Sequence, residues 1–185
     1  MFTYGLASNA FRYAKIAAII IVLAVLVVSV EAQTYQGTPI HEGALPEIYG
    51  DQAFTGNIQQ ALDYLKASYP ADYNNVVSWL YEIRPTDTYT RVNADGVCYI
   101  NGNDADASYY WLAGVLIHEA QHVNDDAIYF VDNPYTADES EHRALISQAA
   151  YLEGVNGWTQ MQADEWIDGW LAKRYWETIP EKYNA

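Results

Sequence analysis

Residues 109–125 read YYWLAGVLIHEAQHVND, and the order of residue types in that stretch decides how the rest of the chain folds. Tyr109 to Ile117 carries no charge, and its apolar side chains recur closely enough to bury a helix over most of its surface. The run then ends in His118, Glu119 and His122, polar groups that cost several kcal/mol each to bury without partners. On a helix, residues i and i+4 lie one above the other, so His118 and His122 can direct both imidazoles at one place. Glu119 lies about 100° further round the axis. Neutral imidazole nitrogens are good zinc ligands, and two of them one turn apart suit the geometry of that ion. His-Glu-x-x-His therefore joins two metal ligands to a carboxylate placed to act as a base toward a metal-activated water.

A catalytic zinc takes a third protein ligand and keeps one position open. A third histidine at the metzincin spacing is excluded, because Asp125 and Ile128 stand where that pattern needs Gly and His. The next helical segment offers ADESEHRA (137–144), in which Glu141 follows His122 after eighteen intervening residues. Glu139 and His142 are alternative ligands, since a helix start is fixed from sequence only to within a few residues. Glu141 has a second reading as well. With Asp138 as N-cap it is the third helical residue and completes a capping box.

His118-Glu119-x-x-His122 followed by Glu141 resembles the gluzincins, zinc peptidases whose metal ligands are two histidines and a glutamate. The spacing is similar to that of the zinc aminopeptidase branch and one residue shorter than in thermolysin-like enzymes. The resemblance covers about residues 109–155. It implies one Zn²⁺ ion on His118, His122 and Glu141, with Glu119 as general base in the hydrolysis of a peptide or protein substrate. No motif for gripping a substrate N-terminus is present, so the implied activity is that of an endopeptidase. Leu145 stands four residues after Glu141, where thermolysin-like enzymes carry an Asp, which leaves Gln148 as a substitute supporting partner. Tyr151, near the same helix face, is a candidate donor to a tetrahedral oxyanion. The alternative is an exported zinc-binding or interaction domain without catalysis. Asp125, Asp126 and Asp132 read as a solvated acidic loop, or as a feature favouring cationic substrates. His41 reads as a surface residue.

The chain has 185 residues, of which 51% are apolar and 18% charged, so a packed core is expected rather than disorder. Nine basic against 24 acidic residues give a net charge of -15, which excludes nucleic acid as a partner. Arg12 and Lys15 precede the apolar run Ile16–Val28, and Val30 and Ala32 fit a signal-peptidase site, so 1–32 reads as a cleaved signal peptide. As a helix the apolar run spans about 20 Å, short of the ~30 Å hydrocarbon core. A retained membrane anchor is the alternative. Both readings place residues 33 onward outside the cell, as a secreted, extracellular or periplasmic domain. Cys98 is the single cysteine, so no intrachain disulfide forms, and its apolar surroundings read as core.

Residues 33–55, rich in Gly and Pro, read as an extended arm, and 56–185 as a zincin-like domain. A helix is expected at 56–69, ended by Pro70, and a second short helix or turn at 73–80. Stretches 81–84, 88–92 and 96–100 predict a small sheet of two or three strands. Residues 101–108 read as loop, with Ser108 capping a helix over 109–124. Helices at 139–153, closed by Gly154 and Gly157, and at 159–176 follow. The order predicts an α+β, mainly helical fold.

Overall fold

A computed structural model of the chain describes residues 44–128 and 135–174. The proposed signal segment 1–32, the first part of the arm with His41, Asp132, and the end of the last expected helix lie outside the described residues. The fold is α+β, mainly helical, with a small mixed sheet. No described helix is long and apolar enough to cross a membrane.

Residues 44–55 are not simply an arm. They supply strand β1 (Glu47–Ile48) and the first turn of helix α1 (Gln52–Ser68). The helix starts this early because Asp51 caps it, its side chain accepting from the Phe54 amide at 2.9 Å. That adds Phe54 to a buried stripe continued by Ile58, Ala61, Leu62 and Leu65. Pro70 ends α1 and at the same time opens α2 (Pro70–Trp79), since a first-turn position needs no amide hydrogen.

The sheet has four strands among the described residues, one more than the sequence suggested. Strand β2 (Glu82–Thr86) pairs in parallel with β1 and with β4 (Val97–Asn101), while β3 (Arg91–Val92) pairs antiparallel with β4, giving the order β1-β2-β4-β3. The extra strand escaped notice because two residues carry no alternation pattern. Pro85 is tolerated in β2 because its nitrogen faces the side where β1 has already ended. Ile83, Cys98 and Ile100 alternate onto the inner face and are fully buried against the helices. The outer face carries a cross-strand series in which Arg84 lies over Tyr49 at 4.7 Å and Arg91 over Tyr99 at 4.5 Å. Gly96 at φ +77 makes the turn into β4, and any Cβ there would lie 2.4 Å from the Trp79 carbonyl oxygen.

Asn101 caps a single turn, α3 (Gly102–Ala105), within the stretch expected to be loop. Helix α4 (Tyr109–Ile128) follows, with the Ser108 carbonyl accepting its first bond from the Leu112 amide at 3.0 Å. Helix α4 runs through the middle of the core, packed against α1, α2 and helix α5 (Ala137–Asn156). Helix α5 ends at Gly157 in the left-handed conformation, with Gly154 still inside it. The last described helix, α6 (Gln160–Leu171), buries Ala163 and Ile167 against α5 and leaves Met161 exposed.

Candidate metal centre

Helix α4 is dry on almost every side. Leu112, Ala113, Leu116, Ile117, Ala120 and Val123 are buried, and so are Glu119 and His122, at 3% and 6% exposure. The expected offset to the cost of burying these polar groups comes from α5, which runs back along α4: Tyr110 meets Tyr151 near one end and Asp125 meets Arg143 near the other. Gly114 lets the two helices approach. A Cβ on it would come into contact with the Gln148 and Tyr151 side chains at 3.4 Å, so little room is left between the helices here.

The start of α5 decides what Glu141 is for. The N-cap is Thr136, not Asp138, and the capping box is completed by Glu139, whose carboxylate accepts from the Thr136 amide at 2.8 Å. These bonds from the Thr136 backbone and hydroxyl hold the Glu139 carboxyl below the usual carboxylate range. Glu139 is thereby exposed and occupied as a cap, and His142 is exposed beside α6, so neither joins the histidines. Asp138 forms an exposed pair with Arg174. Glu141 falls two residues beyond Glu139, one turn into α5, and is buried at 8% exposure.

His118, His122 and Glu141 come together. Their Nε2 atoms lie 3.1 Å apart, and the Glu141 carboxylate reaches His118 Nε2 with one oxygen at 3.4 Å and His122 Nε2 with the other at 3.5 Å. Zinc bonds of 2.0–2.1 Å in a tetrahedron require neighbouring ligand atoms about 3.3 Å apart. The three observed separations bracket that value. The arrangement is compatible with one metal ion held by these three residues.

The surroundings of the rings fit the same use. Nδ1 of His122 is 2.9 Å from the Ser140 hydroxyl; with that oxygen accepting, Nδ1 holds the proton and Nε2 presents its lone pair. At 3.1 Å the two Nε2 atoms require a proton or a cation between them. Nδ1 of His118 is buried with no hydrogen-bond partner among the described residues.

Three expected neighbours turn out differently. Gln148, offered as a supporting partner, packs beneath Gly114, one turn before His118, and Ser140 is the residue that reaches a ring. Tyr151 gives its proton to the Tyr110 carbonyl oxygen at 2.9 Å, and burial pushes its phenol well above the ordinary range, which makes it a strut between the helices rather than an oxyanion donor. Asp125 is neither solvated nor a substrate feature. It is fully buried, held by a two-armed contact from Arg143 at 2.9 and 3.0 Å and by Gln121 at 2.7 Å.

Sequence reasoning missed Ser140 and Arg143. A signal was present: Ser140 and Arg143 lie eighteen residues beyond His122 and Asp125 respectively, so two complementary polar pairs share one offset across the α4–α5 turn. Comparison with protein-family models, with curated proteins and with solved structures gives no match, so the chemistry of the centre is argued from its geometry.

Proposed function

We propose that the chain is an exported zinc-dependent hydrolase that cleaves peptide bonds, with His118, His122 and Glu141 as metal ligands and Glu119 as general base. The observation that carries this reading is the meeting of two imidazole nitrogens and a carboxylate at 3.1–3.5 Å, drawn from two helices. Among the described residues three protein ligands come together, and three rather than four would leave a position for water or substrate, the arrangement of catalytic rather than structural zinc. A zinc ion held there would supply positive charge that polarises a carbonyl and lowers the pKa of a bound water to about 7. Glu119, next to His118 on a rigid helix, accepts the proton as water attacks the amide carbonyl and passes it to the departing amine. The net charge of -15 and the apolar run 16–28 of the sequence are what support an exported location.

A second reading, a zinc-binding domain without turnover, is favoured by the low side-chain exposure of the three donors, between 7% and 12%. Substitution of Glu119 separates the two. Glu119→Gln preserves shape and leaves the ligand set intact, so zinc content measured by mass spectrometry should remain one ion per chain. Cleavage of a fluorogenic peptide library should fall by about 10²–10⁴-fold, the usual contribution of a general base. Equal cleavage by wild type and Glu119→Gln removes Glu119 from the reaction, and wild type without metal removes the whole reading.

A further inference from the structure

Burying Asp125 is costly, and the fork from Arg143 is an expensive way to join two helices. Only Asp125 is fully buried; the Arg143 side chain is 42% exposed, and an ion pair that draws one charge out of water is weak evidence of a need for stability. What a two-armed guanidinium–carboxylate contact does supply is orientation, because both bonds are satisfied only at one relative placement of the partners. Here the partners stand three residues after His122 on α4 and two residues after Glu141 on α5. The contact is braced on both sides. Gln121 donates to Asp125 and accepts from Ser147, and the Arg143 guanidinium also lies over the Tyr135 ring at 4.6 Å, just before α5 begins.

We propose that the Asp125–Arg143 fork, with Gln121 and Ser147, is a positioning device that sets the register of α5 on α4 and so holds Glu141 at ligand distance from His118 and His122. This rests on the metal-centre reading above. Apolar packing alone leaves helices free to slide by fractions of an ångström, whereas a metal ligand must be placed to within a few tenths. The exposed Asp138–Arg174 pair, also anchored on α5, carries no such role, because both groups remain in water.

The test is metal affinity of the full chain, measured by competition titration with zinc and by the visible spectrum of bound cobalt(II). Arg143→Gln alone leaves a buried carboxylate uncompensated, so the main variant is the neutral pair Asp125→Asn with Arg143→Gln. It should bind zinc about 10–100-fold more weakly, the usual effect of removing support behind a ligand. Its cobalt spectrum should change in intensity, while its melting temperature without metal stays near that of wild type. Arg143→Lys retains the charge but loses the fork and should show an intermediate loss, and it replaces the double variant should that fail to fold. Arg174→Gln should match wild type throughout. Wild-type affinity and an unchanged cobalt spectrum in both fork variants overturn this proposal alone. A wild-type chain that binds neither metal overturns the centre itself.

Discussion

The Ser140 hydroxyl stands 2.9 Å from Nδ1 of His122 while the next residue, Glu141, meets Nε2 of the same ring at 3.5 Å. One turn of α5 thus holds the imidazole from both of its nitrogens. Ser140→Ala removes the rear contact without touching a ligand. Zinc affinity should fall about tenfold, in line with losses at supporting positions, and competition titration reads it. Unchanged affinity would show that the ring is oriented by packing alone.

Zinc should stabilise the fold through linkage. A ligand that binds only the folded chain adds about 2.7 kcal/mol at a hundredfold excess over its dissociation constant. Thermal melts with zinc and with a chelator should therefore separate by several degrees. Glu141→Gln should abolish that separation, since it removes the donor from the second helix.

The capping box of α5 gives a pH-dependent prediction. Thr136→Ala should cost about 1 kcal/mol, as for other N-caps. Glu139 is held below its usual value of 4.5 by Thr136, so its stabilising effect is fully present above that pH and is lost as pH falls through the lower folded value. Urea melts of wild type and Thr136→Ala should accordingly differ most at pH 7, and the gap should narrow as the pH drops well below 4.5 to what the bond from the Glu139 amide to the Thr136 hydroxyl contributes. A gap that widens on acidification contradicts the assignment.

Tyr151→Phe removes the hydroxyl that bonds the Tyr110 carbonyl oxygen. Stability should fall by about 1 kcal/mol, with zinc content and peptide cleavage within twofold of wild type. A selective collapse of cleavage would return Tyr151 to the reaction.

The helices were legible in the sequence where their apolar residues repeat over several turns, as in α1 and α4. The boundaries were not, because capping is decided by single residues: Asp51 lengthens α1, and Thr136 moves the start of α5 ahead of Asp138. That shift also settles a question local reasoning left open, since it gives the cap to Glu139 and leaves Glu141 to face α4. His118, His122 and Glu141 were readable from spacing, which reports what one or two helices bring to a common point. Ser140, Arg143 and the strut role of Tyr151 were not, because each depends on the register between helices rather than on periodicity within one.

Both described edges of the sheet, β1 and β3, are only two residues long. An extended peptide lying alongside either would find backbone partners for a residue or two before the ladder gives out, and a second copy of the protein would find no better template. Recognition of an extended partner along the described sheet would therefore fall on side-chain contacts rather than on strand addition, and the same shortness protects the sheet from edge-to-edge aggregation.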